Sequence, residues 1–327
     1  MERENGMKRT VSLFLVFLCI SCFTVTAEEN HVHLNKIIAK LTRQEVVIGT
    51  WMQTMSIFSA MGLVESNGVH DAQTSLTTPM IDFVLIDMEH MPFDVETLTN
   101  LLMAFHSKRE VMNKGNLQPN ICPLVRIPCD AGGPIEPYIK QCLDAGAFGI
   151  VVPHCRNAAD ARRVVQACRY PQAKGDPQPE PAGVRGASPW PCSYLWGVSM
   201  DEYVRRADVW PLDPAGDILA VIMIEDQEGK NNIDEILSVP GVGAVIYGPY
   251  DYSFSCGVPG NVKAADVIKA GEEIAAACNR HNVPFVVFPT AENMAQLIEQ
   301  GHKVFLVGSD VQPTALVSDV IEQAIKK

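Results

Sequence analysis

Eight short apolar runs, most of them followed by a stretch of helical pattern, constrain this chain more than any other feature. They fall at 46–51, 83–88, 123–127, 149–153, 220–224, 244–248, 285–288 and 304–307. A strand with one face in water alternates apolar and polar residues, whereas a continuous apolar run suits a parallel strand covered on both faces. The intervening stretches, among them 95–106, 135–145, 158–169, 233–239, 264–279 and 292–300, are long enough for crossover helices. Eight such units in about 300 residues predict a (β/α)8 TIM barrel. A doubly wound open sheet is the alternative, disfavoured because no G-x-G-x-x-G follows the first run.

The N-terminus reads as a targeting segment. Lys8 and Arg9 precede an apolar run, 11–25, that ends in the small-residue cleavage pattern Val25-Thr26-Ala27. The run is shorter than the roughly 20 residues that span a bilayer. The predicted organisation is a signal peptide at 1–27, a lead-in helix within 28–45 and one barrel domain at 46–327. Export to the periplasm or outside the cell follows, with no membrane attachment after cleavage. A lipoprotein at Cys22 is the lesser alternative, because Cys19 stands where such signals usually place leucine. The C-x-x-C formed by these two residues lies inside the leader and signals neither zinc nor redox chemistry. The other eight cysteines are scattered and read as small core or loop residues, although export leaves disulfides open. With 26 Lys and Arg against 38 Asp and Glu, the formal charge is −12, which leaves no basic surplus for nucleic acid. Three stretches, 66–80, 107–120 and 173–188, read as long loops.

In a barrel the chemistry sits at the C-terminal ends of the strands. Here those ends are polar: Asp87-Met88-Glu89-His90, Arg126, Pro153-His154, Glu225-Asp226, Gly248-Pro249-Tyr250-Asp251 and Gly308-Ser309-Asp310. Glu225 and Asp251 follow consecutive strands, so two carboxylates would face one point. That suits a divalent cation such as Mg2+, Mn2+ or Co2+, which keeps waters that substrate oxygens can replace. No lysine lies on the strand cores or at these ends, which argues against Schiff-base chemistry. A Lewis-acid cation polarises a carbonyl equally well. Arg126 is then the fixed cation for a developing oxyanion and His90 the general base. Because the chain is acidic, Arg126 and the metal must make a local positive spot to attract an anionic substrate.

The strings Leu85-Ile86-Asp87-Met88-Glu89-His90, Val125-Arg126, Val152-Pro153, Ala182-Gly183-Val184-Arg185-Gly186, Ile224-Glu225 and Gly248-Pro249-Tyr250-Asp251-Tyr252-Ser253 resemble, in order and spacing, the HpcH/HpaI aldolase family. The resemblance runs from about residue 46 to the C-terminus. It implies a barrel, usually homo-oligomeric, that reversibly cleaves a 2-keto-4-hydroxy acid to pyruvate, or a related oxo acid, and an aldehyde through an enolate. By similarity Glu225 and Asp251 hold the metal and Arg126 stabilises the enolate oxygen. His90, paired with Asp87 or Asp144, moves the proton through water. Main-chain N–H groups around Gly248 to Asp251, in the turn shaped by Pro249 and Tyr250, hold the substrate carboxylate, with Arg185 a further substrate-binding candidate. Glu89, His154 and Met223 complete the candidate set. Met223 stands where the aldolase branch often carries glutamine, and His154 either replaces that polarity or is structural. Trp190, Tyr194 and Trp196, in the segment after Arg185-Gly186, either narrow the mouth or pack an oligomer contact. Two other functions remain open at this point: a citryl- or malyl-CoA type lyase, and a non-catalytic exported barrel that binds an oxo acid.

Overall fold

The computed structural model describes residues 32–67, 70–71, 76–77, 81–290 and 292–311. The predicted leader at 1–27 and the stretch 312–327 lie outside them. Eight strands form the barrel: β1 (Val47–Met52), β2 (Phe83–Asp87), β3 (Cys122–Arg126), β4 (Gly149–Val152), β5 (Ile218–Ile224), β6 (Ala244–Tyr247), β7 (Phe285–Val287) and β8 (Val304–Ser309). Each pairs in parallel with the next, and β8 returns to β1, so the sheet closes. All eight sequence runs become barrel strands, with ends shifted by a residue or two. Closure leaves no open edge between them, and short strands suffice because every residue of β2 to β6 is buried.

Leu85, Leu124, Leu219, Val221, Ala244, Ile246, Val286 and Val304 fill the interior. Gly49 faces inward on β1, where a Cβ would overlap the Phe83 ring, so glycine is what lets that ring enter the barrel. The helix Lys36–Thr42 plugs the end at which the strands begin, with Ile37 and Leu41 against the same interior residues. Asn35 caps it by accepting from the Ile37 and Ile38 N–H groups. Buried Asp82 anchors it through Lys36 (2.9 Å) and Lys40 (2.6 Å). The predicted lead-in helix is therefore the floor of the barrel. With that end closed, the C-terminal ends of the strands form the mouth.

The loop expected at 107–120 contains a helix, Lys108–Lys114. Ser107 accepts from the Glu110 N–H at its start, and left-handed Gly115 ends it. The proline-rich stretch beyond residue 171 carries no helix or strand, as its fixed φ angles dictate. After it come two short helices, Trp190–Trp196 and Met200–Arg206. Trp196 stacks on Phe148 at 4.2 Å and donates to the Gly146 carbonyl, in the turn that leads into β4. The aromatic segment thus packs beside the start of β4 and does not narrow the mouth. Its apolar mass is matched by the Phe148 ring there, while Trp190 and Tyr194 stay exposed. Among the described residues no cysteine is paired. Six of the eight thiols there are buried, and burial pushes Cys168 and Cys278 up to about 12. No helix among the described residues is long and apolar enough to cross a membrane.

Candidate active site

Arg126 is the last residue of β3 and lies directly opposite Asp87, the last residue of β2. The register therefore delivers a fork-on-fork pair: Nε and Nη2 donate to Asp87 Oδ1 and Oδ2 at 3.0 and 2.8 Å. Nη1 sits 2.9 Å from Glu89 Oε2, and the guanidinium lies 4.6 Å from the ring centroid of Trp51, the last inward residue of β1. Arg126 is buried and fixed on three sides. Burial pushes the Asp87 carboxyl up, but the Arg126 hydrogen bonds and charge, with the Glu89 and His90 N–H groups, bring it below the usual carboxylate range.

The hydrogen bonds to Asp87 come from Arg126 and from the Glu89 and His90 main-chain N–H groups, not from the His90 ring. The carboxylate nearest that ring is Glu89, whose Oε2 is 3.6 Å from His90 Nε2. Burial raises the Glu89 carboxyl above its ordinary value despite Arg126 and His90. His90 is 59 % exposed, at the rim. Asp144, the other carboxylate expected beside His90, is the last residue of the helix Glu136–Asp144 that precedes β4, at the opposite end of the barrel. There it accepts from Arg185 Nη2 at 2.7 Å. Arg185 is buried between Tyr170 and Tyr203, 4.4 and 5.7 Å from their ring centroids, and takes no part in the mouth. These two residues form a structural pair within the chain. A motif gives order along the sequence, not the end of the barrel that each side chain faces.

Two strands round the mouth from Arg126, Glu225 follows β5 and is 2 % exposed at its side chain. Its Oε2 accepts from the His154 N–H at 3.1 Å, and a Cβ on Gly248 would strike its carboxylate. Glycine at 248 thus leaves room for Glu225. Burial pushes the Glu225 carboxyl up to about 7, and the Glu89 and Asp251 carboxylates add to the rise against His154. Asp251 lies in the first turn of the helix Pro249–Ser255, half-buried; Tyr250 beside it is exposed against Phe254. Met223, two residues before Glu225 on β5, is buried.

A buried glutamate crowded by two further carboxylates is a site short of positive charge. That fits a divalent cation held by Glu225 and Asp251. Among the described residues no three His, Cys, Asp or Glu side chains are gathered for a metal, so waters and substrate oxygens would complete the shell. Two features escaped the sequence reading. Trp51 under Arg126 could have been found as the end of the first apolar run. The chain Asp226–Arg156–Asp130 on the rim, with Arg156 Nε 2.8 Å from Asp226 and Nη2 3.2 Å from Asp130, carried no sequence signal.

The family described as HpcH/HpaI aldolase/citrate lyase matches residues 67–315. The 5-keto-4-deoxy-D-glucarate aldolase of Salmonella paratyphi A is 28% identical over 302 residues, covering 91% of this chain and 99% of that protein. Two solved structures share the fold. An HpcH/HpaI aldolase/citrate lyase family protein from Burkholderia cenocepacia J2315 has a TM-score of 0.69 at 22% identity, over 90% of this chain and 100% of that one. An HpcH/HpaI aldolase from Desulfitobacterium hafniense DCB-2 has a TM-score of 0.64 at 24% identity, over 88% and 94%.

Proposed function

The chain belongs to the HpcH/HpaI aldolase/citrate lyase family, and on that premise we propose that it is a class II carbon–carbon lyase. It reversibly cleaves a 2-keto-4-hydroxy acid to pyruvate, or a related oxo acid, and an aldehyde. The observation that carries this reading is the convergence on one mouth of a rigidly held cation, Arg126, and a buried, charge-crowded carboxylate, Glu225.

In the cleavage direction the C4 hydroxyl gives up its proton and the C3–C4 bond breaks. The electron pair moves into the pyruvyl half, whose C2 oxygen becomes an oxyanion, and protonation at C3 then yields the methyl group of pyruvate. Arg126 cannot swing away from Asp87, Glu89 and Trp51, so its charge is already in place when the oxyanion forms. His90 stands at the rim with Glu89 behind it, placed to exchange the C4 proton through water. When bound, a divalent cation such as Mg2+, Mn2+ or Co2+ supplies Lewis acidity at the keto oxygen. The N–H groups at the start of the helix Pro249–Ser255, beside Glu225, are the candidate seat of the substrate carboxylate.

The test is pyruvate release from 5-keto-4-deoxy-D-glucarate, the substrate named for relatives that span nearly the whole chain. Metal-dependent release that chelation abolishes is the expected result. Cleavage unaffected by chelation would remove the metal role. No cleavage of any 2-keto-4-hydroxy acid would remove the assignment. Export rests on the basic, apolar and small-residue pattern of the leader, and homo-oligomerisation on the family resemblance.

A further inference from the structure

We propose that His154 is a specificity-determining residue that binds the oxo-acid half of the substrate beside Glu225; this rests on the lyase reading of the same mouth. His154 follows β4 and adopts a left-handed backbone, φ +50°, uncommon outside glycine although asparagine, aspartate and histidine take it more often than other side chains. That conformation is held from two sides. The His154 N–H donates to Glu225 Oε2 at 3.1 Å, and the next N–H, of Cys155, donates to the Met223 carbonyl at 3.0 Å. Strain of this kind persists where the surroundings over-determine it and concentrates at ligand-handling sites.

The ring is suspended between two carboxylates without closing on either. Nε2 is 3.9 Å from Glu225 Oε2 and Nδ1 is 4.0 Å from Asp226 Oδ2, both beyond hydrogen-bond reach. Nδ1 is buried with no hydrogen-bond partner among the described residues. Asp226 Oδ2 is already taken by Arg156 Nε at 2.8 Å. The buried unpartnered nitrogen is Nδ1, on the Asp226 side; Nε2, on the Glu225 side and 3.9 Å from that carboxylate, is the ring nitrogen left for a partner that the chain itself does not supply.

Depth identifies that partner. The His154 side chain is 26 % exposed and is tied through its backbone to the level of Glu225, whereas the His90 side chain is 59 % exposed at the rim. A ligand chelated at Glu225 therefore presents its oxo-acid oxygens to His154 Nε2, while its aldehyde half points outward toward His90. The neighbouring inward side chain on β5, Met223, is an apolar thioether, so the imidazole is the hydrogen-bonding group available at this level from β4 and β5.

The experiment uses the full chain loaded with Mn2+. Pyruvate binding is measured by calorimetry for wild type, H154L and H154Q, alongside Mn2+ affinity and cleavage. The Glu225 contact comes from the main chain, so it survives each substitution. H154L is expected to weaken pyruvate binding about tenfold or more, the worth of one hydrogen bond to a charged group, with Mn2+ affinity unchanged. H154Q, whose amide reaches the Nε2 position, is expected to stay within about threefold of wild type. Unchanged pyruvate affinity in H154L overturns the proposal. So does a parallel loss of Mn2+ affinity, which would make His154 a metal ligand. Wild type that binds pyruvate but cleaves nothing refutes the lyase reading alone, and the H154L to wild-type ratio still decides the role of His154. Wild type that does not bind pyruvate refutes both.

Discussion

Glu225→Gln is expected to abolish tight divalent-metal binding and to lower turnover roughly 10³-fold or more, the scale expected when a Lewis acid and its charge are removed from the reacting oxygen. Glutamine keeps the shape that Gly248 accommodates but offers no charge. The fold should not suffer. Burial and the neighbouring Glu89 and Asp251 push the Glu225 carboxyl up to about 7, so ionising it in the metal-free protein opposes folding at higher pH. At pH 8 the metal-free variant should therefore melt no lower than metal-free wild type, which separates lost chemistry from lost structure. The same elevation sets a pH dependence. Below about 7 the cation must displace a proton, so wild-type metal affinity should weaken as pH falls through that value and level off above it. Metal titrations by calorimetry at several pH values test this, and a variant that retains wild-type metal affinity would remove Glu225 from the metal site.

Arg126→Met should damage both fold and catalysis. The variant keeps the apolar volume over Trp51 but leaves buried Asp87 and half-buried Glu89 without their cation, for which about 3–5 kcal/mol of lost stability is expected. Asp87, held below the ordinary range in the native protein, contributes stability above the pKa it has when unfolded and loses it as pH falls. In the variant the two unpaired carboxyls accept protons more readily, so the gap to wild type should narrow from pH 7 to pH 4. Denaturant unfolding at both pH values measures it. Turnover at temperatures where the variant stays folded should fall roughly 10²- to 10³-fold, the usual loss when one oxyanion donor is removed. A variant as stable as wild type at pH 7 would contradict the account of Arg126 as the linchpin of the mouth.

The barrel was legible because it depends on a one-dimensional signal. Continuous apolar runs such as those that become Phe83–Asp87 and Ile218–Ile224 suit a covered parallel strand, and their number pointed to a closed barrel. The strand-end residues were legible for the same reason: once a run ends, the next polar side chain stands at the mouth, which places Asp87, Arg126 and Glu225. What failed was anything that depends on which end of the barrel a helix terminus faces. Arg185 lies in a string shared with the family and Asp144 was expected beside His90, yet Asp144 pairs with Arg185, which is buried between Tyr170 and Tyr203. The aromatic segment at 190–196 likewise gave no sign that Trp196 would seat on Phe148. Glu89 shows a finer limit. Its place in the string marked it as a candidate, but only the geometry, with Asp87 turned to Arg126 and Glu89 Oε2 3.6 Å from His90 Nε2, shows that Glu89 is the carboxylate beside His90.

The central claim is that this mouth makes an enolate of pyruvate, and methyl-proton exchange in deuterated water tests it without knowledge of the aldehyde. Metal-stripped protein is mixed with pyruvate and followed by proton NMR, with and without Mg2+, Mn2+ or Co2+. Exchange that appears with a divalent cation, and disappears in Glu225→Gln and Arg126→Met, is the expected result. Pyruvate that keeps its methyl protons with every metal, in protein shown to bind it, would contradict the account.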